Sequence, residues 1–329
     1  MVSLFKEKTT IGVFRLIILS LVVHAHFFVE SPTVIIPASS VFLHDWLAVV
    51  ATWPPLLLAL TYHVLIIIQA LRLNYILGNN KLFPHTNFTV AMAYILFTGL
   101  LPAWCNITGA LLANILIIWL IHLLCKLYNT TKVGAMLFNI GFLTGISTLL
   151  YPPSYPLLLI MLLGILILRP FKINQLFTYL IGAILPFYFL GSYLYLTGDF
   201  KRIWQFIPGL HWSLPILEPK ETLLGIAILL IICLLGGFLY LQSNMNKLLI
   251  IARKCWIILF LLLLFLLPGL ITVPGFDWTA LLIIMPAAAA IAGNLFYYNQ
   301  QKIFLSILFW LFIFSAWFYS FGGWQLLPK

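Results

Sequence analysis

The residues able to do chemistry sit in the few polar stretches of an otherwise apolar chain. Glu30 and Asp45 share the stretch between the first two apolar runs, and either carboxylate would serve as a general base toward an acceptor hydroxyl. Lys201, Arg202 and His211 form a cationic cluster in the segment 199–221, where they would hold a phosphate or pyrophosphate. The plainer reading makes both groups solvated markers of the membrane surface. There is no His-Glu-x-x-His, no Gly-Lys-Ser/Thr phosphate loop and no Gly-x-Ser-x-Gly elbow. His24 and His26 stand two apart, on different faces of a helix, which argues against joint metal binding. Cys105, Cys125, Cys233 and Cys255 form no Cys-x-x-Cys pair and read as apolar filler. No metal or cofactor is expected.

The elements that must position these residues are membrane helices. Of 329 residues 64% are hydrophobic and 7% charged, against roughly 25% charged in ordinary globular domains. That composition excludes a soluble domain of any size and makes residues 1–329 one integral membrane unit. The net charge of +10 would suggest nucleic acid in a soluble protein; here a positive-inside bias accounts for it, and no nucleic-acid partner is expected.

Apolar runs at Ile11–Val29, Pro54–Leu71, Asn87–Trp104, Ile107–Leu127, Val133–Tyr151, Tyr155–Leu168, Leu176–Thr197, Thr222–Leu241, Trp256–Val273, Trp278–Tyr297 and Phe304–Phe321 predict an all-α bundle of about eleven spans. Lys6 and Lys8 precede the first run and no small-x-small cleavage site follows it, as in an uncleaved signal anchor. Val41–Trp53 is expected as an interfacial helix, capped by Ser39 or Ser40 and carrying Trp46 and Trp53 at headgroup level. The region Val133–Asp199 reads as the rigid middle of the bundle. Its first two helices would pack as an antiparallel hairpin about the Tyr151–Pro156 turn, with Gly134, Gly141, Gly145 and Gly164 permitting close approach.

Charge tests this layout independently. Threading the runs alternately puts thirteen of the seventeen cations on one side, Arg72 and Lys81 among them in one loop. Lys201, Arg202, Lys220 and Lys329 fall on the other side with every carboxylate except Glu7. The side rich in cations is expected to be cytoplasmic, with the N-terminus inside and the C-terminus periplasmic. No Asp, Glu, Lys or Arg lies near the middle of a span, and only His63 and His122 ionise deep in helices. A lone membrane histidine reads as a neutral packing residue, so an ion-coupled transporter is disfavoured.

The segments Gln69-Ala-Leu-Arg-Leu-Asn-Tyr, Leu111-Leu-Ala-Asn, Phe138-Asn-Ile-Gly-Phe-Leu-Thr-Gly, Leu149-Leu-Tyr-Pro, Leu168-Arg-Pro-Phe and Leu196-Thr-Gly-Asp resemble an uncharacterised family of bacterial inner-membrane proteins from envelope-rich Gram-negative species. More distantly, the layout is similar to the GT-C superfamily of membrane glycosyltransferases. The shared features are a first external loop with an interfacial helix, a Gly-rich span before a Pro turn, and further spans behind. That resemblance implies a polyprenyl-phosphate-linked sugar as donor and an acid of the first external loop as base. This chain departs from the pattern in its short first loop, which lacks an adjacent acid pair.

Two functions therefore stand side by side. One is a transferase acting on a lipid-linked substrate at the outer face, with Glu30 or Asp45 as base and Lys201, Arg202 and His211 on the donor phosphate. The other is a non-catalytic membrane component of an envelope-assembly, secretion or motility apparatus, with membrane-protein partners.

Overall fold

Two helices that no apolar surface distinguishes from their neighbours form the centre of the molecule. In the computed structural model, which describes residues 1–7, 10–36, 44–201, 203, 220–271 and 278–321, all ten residues of α4 (Thr89–Thr98) are buried. Within the segment Trp278–Tyr298 an 18-residue window is 94% buried; the segment comprises a 3-10 stretch to Ile284 and α11 (Met285–Tyr298). The run Ala287–Ala290 and Gly293 keep α11 slim, so neighbouring backbones can approach closely. A Cβ on Gly293 would meet the Val90 side chain of α4, and one on Gly237 would collide with the Ile291 carbonyl.

Around this centre lie α1 (Thr10–Val23), α3 (Pro55–Asn79), α5 (Gly109–Leu127), α6 (Val133–Leu150), α7 (Leu157–Leu168), α8 (Ile173–Leu196), α9 (Lys220–Asn244), α10 (Ile250–Ile271) and α12 (Lys302–Ser320). The short α2 (His44–Ala51) lies within the expected interfacial helix. Eight helices among the described residues are long and apolar enough to cross a bilayer. Three further apolar helices, Ile11–Val23, Thr89–Thr98 and Pro152–Leu168, are shorter. The fold is thus all-α and polytopic. Its only described strands, β1 (Val34–Ile35) and β2 (Ile107–Thr108), pair in parallel.

Local chemistry sets the helix ends. Pro55 starts α3, where a missing N–H costs nothing. The Thr108 hydroxyl caps α5 by accepting from the Leu111 N–H at 3.2 Å. After α6 the chain turns through Pro152–Ser154, held by the Ser154 hydroxyl donating to the Ser147 carbonyl at 2.9 Å.

Four expectations need correction. The centre is α4 with α11, not Val133–Asp199, because α6 and α8 leave more than half of their apolar windows unburied. The run Asn87–Trp104 is not one long helix: α4 covers ten residues and a separate 3-10 turn follows at Pro102–Cys105. Arg72 is no loop residue, since α3 continues to Asn79. The close glycine contact of α6 is with α8, not α7. Added Cβ atoms on Gly141 and Gly145 would collide with the carbonyls of Tyr179 and Ala183, and one on Gly182 with that of Phe138. Gly134 faces open space, and Gly164 faces Leu124 and Ile258.

Cations gather at one end of the bundle on the C-termini of helices. Arg169 donates through Nε and Nη2 to the Leu127 carbonyl that ends α5, at 3.1 and 2.9 Å. Lys254 reaches the Leu168 carbonyl ending α7 at 3.4 Å, and Lys6 donates to the Asn299 carbonyl beyond α11 at 2.6 Å. Terminal carbonyls have no partner within their own helix and carry partial negative charge, so a cation there satisfies both needs.

Candidate site at the Glu30 end

The opposite end of α1 carries the densest group of titratable side chains described. Ser20 lies on the α1 face that meets α3, and His24, four residues on, is the first residue past α1. His24 Nδ1 lies 3.0 Å from the Ser20 carbonyl. A carbonyl only accepts, so this nitrogen carries the proton and Nε2 faces the Tyr62 hydroxyl at 3.2 Å. Tyr62 also reaches the Trp104 carbonyl at 3.1 Å. Its single proton therefore serves two acceptors. Ser20 Oγ meets His63 Nδ1 at 2.8 Å, one residue further along α3. The rings of His24 and His63 have centroids 5.7 Å apart, and those of His24 and His26 6.3 Å.

His24, Ser20 and Tyr62 are fully buried, while His26 and His63 are half-buried. His26 Nδ1 is buried and makes no hydrogen bond among the described residues. Tryptophans anchor the surroundings: the Trp104 indole donates to the Trp278 carbonyl and the Trp317 indole to that of Val22, both at 2.7 Å.

The segment after α1 is tied across this end. The 3-10 turn Ala25–Phe28 leads to Glu30, whose N–H donates to the His26 carbonyl at 2.8 Å. Further on, the Thr33 N–H and hydroxyl both donate to Asn106 Oδ1 at 2.9 Å, and Val34 registers with Ile107. Glu30 itself is exposed.

Of the other expected site residues, only Lys201 has a described side chain. Asp45 belongs to α2, but its side chain is outside the described residues. Lys201 is exposed just beyond α8, while Arg202 and His211 lie outside the described residues. α8 packs on α6 and α7, α6 packs on α5, and α5 on α3, which packs on α1. Glu30 and Lys201 therefore follow helices at opposite ends of a chain of packing contacts. The histidines also depart from expectation. α1 stops at Val23, so the tight turn brings His24 and His26 near each other, and His63 is not alone. Among the described residues, no group of three or more His, Cys, Asp or Glu side chains is arranged to hold a metal ion.

No family model, curated protein or solved structure matches this chain. The site is read from its chemistry alone. One legible signal was the Ser20–His24 spacing, which places both on one helical face. The adjacent Tyr62 and His63 gave no such signal, because helix neighbours in sequence do not point the same way. Only the pairing of α1 with α3 brings the four together.

Proposed function

We propose that this protein is an eleven-span, GT-C-like transferase of a bacterial inner membrane, using a polyprenyl-phosphate-linked sugar at the end that carries Glu30. The observation behind the reading is the gathering of Ser20, His24, His63 and Tyr62 beside the turn that bears His26 and leads to Glu30. Cations capping helix C-termini at the opposite end support an outward orientation for Glu30, with the N-terminus cytoplasmic and the C-terminus periplasmic.

In this reading Glu30 accepts the proton of the acceptor hydroxyl as that oxygen bonds to the sugar's anomeric carbon and the bond from that carbon to the phosphate breaks. The leaving phosphate gains charge and needs donors already in place. The half-buried imidazoles of His26 and His63 stand at this end and would supply them. Lipid extracts of a deletion strain should accumulate the polyprenyl-phosphate sugar. Wild-type protein should clear it, and Glu30→Gln should not. A deletion strain with an unchanged lipid-linked sugar pool would defeat the transferase reading.

The second reading, a non-catalytic component of an envelope apparatus, draws on one observation. The Ser20, His24 and Tyr62 contacts also satisfy buried polar groups, which packing alone demands. It predicts that Glu30→Gln and His63→Ala fully complement the envelope phenotype of the deletion, and that a membrane-protein partner co-purifies in stoichiometric amount.

A further inference from the structure

At the end remote from Glu30, α3 closes in a way its residues do not favour. The Leu82 N–H donates to the Leu77 carbonyl and the Lys81 N–H to that of Gly78, both at 3.0 Å. This is the double hydrogen bond of a Schellman terminus, whose left-handed residue is usually glycine. Here the residue is Lys81, with φ of 54°. It is the one non-glycine among the described residues with positive φ. A lysine held where glycine fits better points to a use for its side chain.

Lys81 stands on the rim of a cavity of about 510 Å³. Leu71, Val13, Phe83 and Phe88 supply an apolar wall, and Asn74, Asn79, Asn87 and Thr86 a polar one. Among the described residues, no carboxylate lines it. The Arg72 guanidinium lies 5.8 Å from the centre of the Tyr75 ring, itself a lining residue, and so adds a second cation near the mouth. Gly78 also lines the cavity, and a Cβ there would meet nothing within 4 Å. The 25 residues of α3 extend about 37 Å, longer than a hydrocarbon core of about 30 Å. Its last turn, with Gly78 and Asn79, therefore reaches headgroup level.

An amphipathic cavity at that depth, with cations at its mouth and an apolar inner wall, fits one chemical class. We propose that it binds an anionic phospholipid, with the phosphate at Lys81 and the exposed Asn79 and the first part of an acyl chain between α1 and α3. This site is separate from the Glu30 end and does not depend on the transferase reading.

The test uses full-length protein delipidated in detergent. Phosphatidylglycerol should raise its apparent Tm, while phosphatidylcholine and inorganic phosphate should not. Binding should weaken about tenfold in Lys81→Gly, as loss of one charge-assisted contact predicts, and be retained in Lys81→Arg. Lys81→Gly should hold or raise the Tm of the lipid-free protein, since glycine accepts the left-handed backbone. Gly78→Leu, whose Cβ meets nothing within 4 Å and whose side chain enters the cavity, should abolish binding. Native mass spectrometry of the folded fraction gives the same comparison should a variant lose stability. Undiminished binding in Lys81→Gly or Gly78→Leu, or an equal shift from phosphatidylcholine or from inorganic phosphate alone, would overturn the proposal.

Discussion

Ser20 Oγ and His63 Nδ1 lie 2.8 Å apart across the α1–α3 interface, and this contact links two helices that no sequence pattern pairs. Ser20→Ala removes the partner of a half-buried imidazole. It should cost about 1–3 kcal/mol, the desolvation of an unpaired group. A thermal-shift assay in detergent checks this, and His63→Leu in the Ser20→Ala background should recover part of the loss. Equal stability of Ser20→Ala and wild type would mean that the contact contributes nothing.

A second buried group binds the centre together. Tyr94 of α4 donates to Gln69 Oε1, the Gln69 amide donates to the Leu111 carbonyl at 2.8 Å, and Asn114 donates to the Leu282 carbonyl at 2.9 Å. Tyr94→Phe should destabilise by about 1–3 kcal/mol, because Gln69 Oε1 loses its donor in a dry interior. Gln69→Leu with Tyr94→Phe should cost less than the two single changes added, which a double-mutant cycle measures.

Gly141 and Gly145 test the α6–α8 contact. Leucine at either position must displace backbone of α8 and should destabilise by about 1–3 kcal/mol or more, the usual cost of overpacking. Leucine at Gly134, which faces open space, should be tolerated. If all three variants melt together, the close approach of α6 to α8 is wrong.

Orientation is testable without knowing the function. Reporter fusions after Lys172 and after Lys329 should give opposite answers, cytoplasmic for the first and periplasmic for the second. Identical answers would remove the eleven-span topology, and with it the outward placement of Glu30.

The membrane class and most helix positions were legible in the sequence, since long apolar runs and the prolines between them admit few alternatives. α6, α7 and α8 fall within a few residues of their expected runs. Lys6, Arg169 and Lys254 were also expected to share an end, and their contacts with helix C-termini supply a physical reason. The expected site was less legible. Glu30 was named, whereas Ser20, His24, His63 and Tyr62 were not read as a group.

Which helix is central, and which helix meets which, only the tertiary structure decided. In a water-soluble helix the buried face is apolar and the exposed face polar, so burial is written in the sequence. In a membrane bundle, lipid and protein neighbours are equally apolar, and association rests on shape and on isolated hydrogen bonds. Gly141 could therefore seat against α7 or α8 with the same sequence signature, and Ser20 could face lipid or His63. The Tyr179 carbonyl beside Gly141 and the imidazole beside Ser20 come from distant segments, and three-dimensional packing brings them there.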